Sequence, residues 1–291
     1  MNLPSNPGER DVVVTAIVVS HNSGSELADC MGDLLAQDVA TQIVLVDNAS
    51  TDASLAGLPD APNLERILNS RNVGFGVACN QGAAKARAAR VLFVNPDCRL
   101  APDTLSRLCR HLDQHPELGM LGARLLNRDG SVQAVAERRT PRPADAIAAI
   151  LGLARRDGGP ALRTLPAPLR AVEATSGALM LMPRVVFESL GGFDPAYVLH
   201  CEDLDLCRRV LLAGRAIAVA TDVEVTHLKG TSSRKRPIWV EWQKHRGMWR
   251  YFRKFDAANS AWWLRALVVL GLGAHFPLAA VRAVWQARGW R

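Results

Sequence analysis

Three groups of side chains in this 291-residue chain have the types and spacing to do chemistry. In CEDLDLCRR (201–209), Glu202, Asp203 and Asp205 crowd three like charges into four residues. Mutual repulsion raises the pKa of one member of such a cluster, the state useful for proton transfer. The same residues also read as an ordinary helix start, where the dipole favours carboxylates. In VLFVNPDCR (91–99), a buried-strand pattern runs straight into Asn95, Pro96 and Asp97, presenting an amide and a carboxylate stiffened by proline. A plain turn uses these residues too. Lastly, EVTHLKG (224–230) ends a strand pattern on His227, and a lone His in that place is more often a surface residue than a metal ligand.

The elements that must position these groups follow from periodicity. DVVVTAIVVS (11–20) is a β-branched run of strand length, and IVLV (43–46), LERIL (64–68) and VLFV (91–94) read the same way. Between them, Leu27, Cys30, Met31, Leu34 and Leu35 fall at helical spacing behind a Ser/Asn cap signal, a short helix opens at Thr51–Asp52, and VACNQGAAKARAA (77–89) is a helix of small residues. Further on, TSGALMLMP (175–183) predicts a strand and the stretch from Glu202 a helix. Such alternation argues an α/β protein with a mostly parallel sheet covered on both faces. Ligands in these sheets bind outside the carboxyl ends of the strands. Each of the first four strands ends in polar residues: Ser20-His21-Asn22-Ser23, Asp47 to Asp52, Asn69 to Gly76, and Asn95-Pro96-Asp97. Together they predict a binding crevice along one rim. The Gly74-Phe75-Gly76 pair does not make a dinucleotide fingerprint, because position 79 is Cys and the pair follows the third strand. No phosphate-binding G-x-x-x-x-G-K-[ST] loop is present.

Composition sets the frame. With 48% hydrophobic and 22% charged residues the chain is a folded globular protein rather than a disordered one. Six scattered cysteines form no C-x-x-C pair, which argues against a zinc site and fits reduced thiols. MNLPSNPGERD has no apolar stretch of the kind a secretory signal needs, so the catalytic part is expected in the cytoplasm. Charge is uneven. Residues 1–226 carry 22 Lys+Arg against 26 Asp+Glu, whereas residues 227–254 carry nine basic residues against Glu241 alone. All seven tryptophans lie beyond position 238.

The motifs VVSHNS (18–23), LVDNASTD (45–52), NVGFGVACNQG (72–82), FVNPDC (93–98), GALMLMPR (177–184), GGFDPAYVLHCEDLDLCRR (191–209) and VTHLKGTSS (225–233) arrive in an order that resembles a family 2 glycosyltransferase of the GT-A fold, particularly its rhamnosyltransferase-like branch. The resemblance covers residues 12 to about 233. It implies a GT-A domain over 11–233, with a donor half over about 11–100 and an acceptor and catalytic half over about 101–233. That leaves 1–10 as a tail and 234–291 as the separate basic, Trp-rich segment that the charge and tryptophan placement mark out. It further implies a nucleotide-sugar donor on the strand ends, with Asp47 at the base or ribose and Ser20, Asn22, Asn48, Asn72, Gly74 and Asn80 lining the nucleotide pocket. Asn95-Pro96-Asp97 stands where this family has D-x-D, so Asp97, with His227 as second ligand, would hold Mg²⁺ or Mn²⁺ against the donor diphosphate. Asn95 replaces the first carboxylate of that motif. Asp203 would be the catalytic base of an inverting transfer, with Glu202 orienting the acceptor or tuning Asp203, and Arg208 and Arg209 offsetting charge. Phosphate-facing roles for Lys229, Ser232 or Arg234 stay open. The implied donor is dTDP-rhamnose, with UDP-linked sugars as the alternative, and the implied acceptor is a polyprenyl-diphosphate-linked or surface glycan. A degenerate, non-catalytic sugar-nucleotide binder is the alternative that Asn95 motivates. A sugar-nucleotide pyrophosphorylase would want a basic, glycine-rich loop after the first strand, and Ser20–Gly24 has no Lys or Arg.

RKRPIWVEWQKHRGMWRYFRKF (234–255) interleaves basic and aromatic residues, with Trp242, Trp249 and Phe252 on one helix side. Such a helix fits the surface of an anionic membrane. The apolar run Ala266–Val281 between Arg265 and Arg282 is short for a span, so interfacial or re-entrant attachment to the cytoplasmic face is expected. Packing of this run on the catalytic domain is the competing reading. Nothing resembles a nucleic-acid module.

Overall fold

A computed structural model of the chain describes residues 12–142, 162–228 and 236–287. Residues 1–10, Lys229, Ser232 and Arg234 lie outside the described residues. The first half alternates as its pattern predicts: β1 (Val14–Ser20), α1 (Glu26–Leu35), β2 (Thr41–Asp47), β3 (Leu64–Leu68), α2 (Phe75–Ala83), β4 (Arg90–Val94), β5 (Cys98–Leu100) and α3 (Thr104–Gln114). The second comprises β6 (Leu118–Leu126), β7 (Leu169–Ala171), β8 (Leu179–Pro183), α4 (Arg184–Ser189), α5 (Glu202–Leu212), β9 (Ala216–His227), α6 (Pro237–Phe255) and α7 (Trp262–Ala287).

All strands join one sheet in the order β3-β2-β1-β4-β8-β6-β9-β5, with β7 on β9. β3, β2, β1 and β4 are parallel, as are β6 and β9. β8 enters antiparallel to β4, and β5 antiparallel to β9. Because Ser20, Asp47 and Leu68 share a register row, the polar residues that follow β1, β2 and β3 emerge on one rim. One face of the sheet is closed by Leu27, Cys30, Met31 and Leu34 of α1 and Leu105, Leu108 and Leu112 of α3. The other is closed by α2, α4 and α5, around a knot of Phe93, Phe187 and Phe193 with ring centroids 4.8–5.7 Å apart. Burying strands on both faces is what their near-continuous apolar runs require.

Three boundaries differ from the sequence reading. The Ser25 side chain makes no cap bond to α1. α2 begins two residues earlier and ends at Ala83 rather than Ala89, because the buried Gln42 side chain captures the backbone of Lys85 and Arg87 and turns the chain toward β4. β8 starts at Leu179, which leaves Thr175–Ala178 as an irregular segment beside α5.

The C-terminal segment divides in two. α6 packs into the second-face core: Tyr251, Phe252 and Val240 are buried, and Gly247 lies so close to Cys201 that a Cβ there would sit 3.1 Å from its Sγ. Phe252 therefore faces the body, not the side shared with exposed Trp242. The sequence reading places α6 with α7 in one 234–291 appendage, yet its buried Tyr251 and Phe252 pack α6 onto the sheet domain. α7 runs back along α6, with Trp242 against Phe276 (5.6 Å) and His245 bonded to His275 (3.0 Å). It is one continuous helix through Pro277, longer than the apolar run alone, and long and apolar enough to cross a membrane. None of its most apolar stretch is fully buried, and one side of it rests on α6 through Phe276 and His275.

Candidate active site

The rim of β1–β3 is a network of short polar links. Asp47, buried at the end of β2, accepts from the Ser50 amide (2.9 Å) and hydroxyl (2.6 Å). Asn22, in the left-handed region at φ 54°, accepts from the amides of Thr51 (2.8 Å) and Asp52 (3.2 Å), pinning the β2 loop to the β1 loop. Buried Ser20 bonds Ser23 at 3.1 Å. Asn48 donates to the Gly74 carbonyl and accepts from Asn69, which in turn bonds Gln81. Asn72 accepts from the Gly74 amide (2.9 Å), which opens α2. Gly74 has φ +91°, and a Cβ would meet the Val198 carbonyl at 2.9 Å, so only glycine fits. Asn80 stands apart from this rim. Its amide clamps the Phe193 backbone from both sides, donating to the carbonyl and accepting from the N–H at 2.8 Å each. Its observed work is to hold the GGFDP loop onto α2, rather than to line the rim.

Asn95 and Asp97 are brought to His227 by the β5–β9 pairing, in which Cys98 opposes His227. The Asp97 Oδ1 lies 3.4 Å from His227 Nε2, and the Asn95 amide nitrogen 3.5 Å from the same atom. Gln133, buried and unforeseen from sequence, fixes the ring. Its Nε2 donates to the carbonyls of Leu126 (3.0 Å) and His227 (2.7 Å), so its Oε1 must accept from His227 Nδ1 (3.2 Å). In that tautomer the Nε2 lone pair faces the Asn95 side-chain amide and the Asp97 carboxylate. Two acceptors then face each other, farther apart than a normal N–H···O bond, an arrangement that suits a cation between them. Among the described residues no set of three His, Cys, Asp or Glu side chains converges as a metal cage. A carboxylate and an imidazole fit a divalent ion that takes its other ligands from diphosphate and water.

Glu202 and Asp203 begin α5, and the two preceding residues, His200 and Cys201, both lie in the left-handed region (φ 64° and 68°). Non-glycine residues hold such angles only where surrounding structure enforces them. The Asp203 carboxylate accepts from Leu204 N–H (2.8 Å), Gly177 N–H (3.2 Å) and the Arg138 guanidinium. Arg138 also donates to the Thr175 carbonyl at 2.6 Å. The irregular segment before β8 thus ties the two sites together, because Gly177 meets Asp203 while its neighbour Ala178 accepts from the Asn95 amide (2.9 Å). Glu202 is buried with Oε2 unpartnered. Burial first, and the Asp203 charge second, push its carboxyl up to about 8. It is the member of the acidic cluster with the raised pKa. Asp205 is not part of this site: fully buried, it pairs with Arg209 and Lys254 at 2.6 Å each. The cation on Asp203 is therefore Arg138, not Arg208 or Arg209.

A family model described as glycosyl transferase family 2 matches residues 15–183. The N-acetylglucosaminyl-diphospho-decaprenol L-rhamnosyltransferase of Mycobacterium tuberculosis is 27% identical over 268 residues, covering 86% of each chain. The rhamnosyltransferase WbbL of Escherichia coli K12 is 25% identical over 209 residues, covering 69% of this chain and 78% of that one. Among solved structures, the mannosyltransferase PcManGT from Pyrobaculum calidifontis, in complex with GDP-Man and Mn²⁺, superposes with a TM-score of 0.58 at 19% identity, over 98% of this chain and 77% of that chain. This likeness is one of fold, and the fold is GT-A.

Proposed function

The chain belongs to glycosyl transferase family 2, and from that premise we propose that it transfers rhamnose from dTDP-rhamnose to a hydroxyl of a polyprenyl-diphosphate-linked glycan. The two relatives' own names, both rhamnosyltransferases and one with a diphospho-decaprenol acceptor, support the donor sugar and acceptor class. The single observation that carries the mechanism is the Gly177–Ala178 turn, which joins the base to the NPD motif.

In this reading the nucleotide lies along the rim of Ser20, Asn22, Asp47, Asn48, Asn72 and Gly74. Asp203, oriented by Arg138 and two amides, takes the proton of the acceptor hydroxyl as that oxygen attacks the anomeric carbon opposite the leaving phosphate. The sugar's configuration inverts. Glu202, its carboxyl pushed up to about 8 by burial and by the Asp203 charge, stays largely neutral around pH 7. Asp97 and His227 would hold Mg²⁺ or Mn²⁺, whose chemistry is to neutralise charge on the departing diphosphate. Chemistry takes place at the cytoplasmic membrane face, with α7 in the bilayer and the lipid-linked acceptor beside it.

Calorimetric binding of dTDP, UDP, GDP and CDP, with and without Mn²⁺, tests the reading. Metal-dependent binding led by dTDP supports it. A preference for UDP moves the donor to a UDP-hexose. Binding indifferent to metal favours the sugar-nucleotide binder that Asn95 suggests, and no binding overturns the function.

A further inference from the structure

Beside the acidic pair, and outside everything assigned above, lies a cavity of about 510 Å³ between the 196–200 loop and α6. Its wall is basic: Arg246, Arg250, Arg253 and Lys254 line it, together with His200 and Trp249. Two of those cations are already engaged. Arg250 pairs with Asp194 (2.8 Å), and Lys254 with Asp194 (2.9 Å) and Asp205 (2.6 Å). Burial pushes the Asp194 carboxyl up, but hydrogen bonds from Lys254 and Arg250 outweigh it and hold the group down at about 2. Arg246 and Arg253 have no acidic partner among the described residues, so the cavity keeps an uncompensated positive charge. Two buried nitrogens in its wall, Arg250 Nε and His200 Nε2, also lack a hydrogen-bond partner. Buried polar atoms are nearly always satisfied, and an exception in a cavity wall marks the place of a missing partner.

Position narrows what that partner is. Only Cys201 and Glu202 separate His200 in the wall from Asp203, a stretch of chain that reaches about 11 Å at most. The helix that carries the arginines also carries Trp242 and His245, which seat the apolar α7. A ligand that fits has an anionic group for the arginines, a sugar hydroxyl within reach of Asp203, and a hydrocarbon tail on the α7 side. We propose that this cavity binds the diphosphate of the prenyl-diphosphate-linked acceptor. The inference rests on the transfer reading above and names the part of the chain that would recognise its acceptor. A sugar-linked diphosphate bears one negative charge on each phosphorus, which matches the two unpaired arginines, and guanidinium forks suit its oxygens.

The test is calorimetric titration of the full chain with farnesyl diphosphate below its micellar concentration, alongside inorganic pyrophosphate, farnesol and dTDP. Farnesyl diphosphate is expected to bind, pyrophosphate to bind at least tenfold more weakly, and farnesol not to bind. The double variant Arg246→Gln/Arg253→Gln, both exposed side chains, is expected to lose at least tenfold in farnesyl diphosphate affinity while dTDP affinity holds. The charge-matched variant Arg87→Gln/Arg110→Gln, altered on exposed positions elsewhere, is expected to bind like the unaltered chain. Unchanged farnesyl diphosphate binding in the first variant overturns the proposal, as does an equal loss in the second. Pyrophosphate binding as tightly as the prenyl compound overturns the lipid assignment in favour of a free-phosphate site. Failure of dTDP alone strikes the transfer reading and leaves the cavity result standing.

Discussion

The donor rim and the acidic site are built to different standards of self-sufficiency. Along the rim, Asp47, Asn22, Asn48, Asn69 and Asn72 all find partners within the β1–β3 loops themselves or on the adjoining α2. In the second half, Arg138 Nε, Tyr197 Oη, His200 Nε2, Glu202 Oε2, Arg208 Nε and Arg250 Nε are buried without partners, and every such atom among the described residues lies beyond position 137. Unpartnered buried atoms cost on the order of 1–3 kcal/mol each. A rim that completes itself is preformed, and a site that does not is arranged around something that arrives. On the transfer reading proposed above, the donor meets a rigid frame and the acceptor one that its ligand completes.

The largest effect separating the two regions is expected from Asp203→Asn. Turnover should fall on the order of 10²–10⁴-fold, with dTDP affinity kept within about twofold. A variant that turns over normally would end the assignment of the base. Next comes Gln133→Leu, which frees the His227 ring from its tautomer. Manganese affinity in the presence of dTDP, read by electron paramagnetic resonance, should weaken about 10–100-fold. Unaltered affinity would show that Gln133 only packs.

Glu202→Gln sharpens the contrast through pH. The Glu202 carboxyl is raised in the folded chain from an ordinary 4.5 to about 8. Its contribution to stability is therefore complete below about pH 4.5 and is lost as pH rises through about 8. The slope in that window is up to about 1.4 kcal/mol per pH unit. Denaturant melts at pH 5 and pH 8 should show the glutamine variant gaining on the unaltered protein as pH rises. A gap independent of pH contradicts a buried, neutral Glu202. The smallest effect belongs to the rim. Asn72→Ala removes one partner of the Gly74 amide and should cost about 1 kcal/mol, seen as a fall in Tm of about 2–4 °C.

Legibility in the sequence follows the same divide. The strands, the polar residues after them and the NPD and EDLD segments are local patterns, and the structure places them on the rim and on α5 as read. Gln133 and Arg138 were not legible, because their partners His227 and Asp203 lie 94 and 65 residues away and neither sits in a periodic segment. The RR pair in AERRTPRP was the only available signal for Arg138. Asp205 was grouped with Glu202 and Asp203 by sequence adjacency, whereas helical spacing points it toward Lys254 of α6. The end of α2 was misplaced because its small residues suit a helix. A long-range capture by Gln42 decides the turn.

Lys254 bridges Asp194 and the fully buried Asp205, and this one ammonium sets where the molecule can be divided. A protease cut or a stop codon ahead of α6 strips a counter-ion from a carboxylate that has no access to water. The same cut at the Ala257–Asn259 turn, after α6, removes only α7. The seam between the sheet-packed part of the chain and the apolar helix thus lies after residue 256, about thirty residues past the point, at 227, where the charge pattern changes.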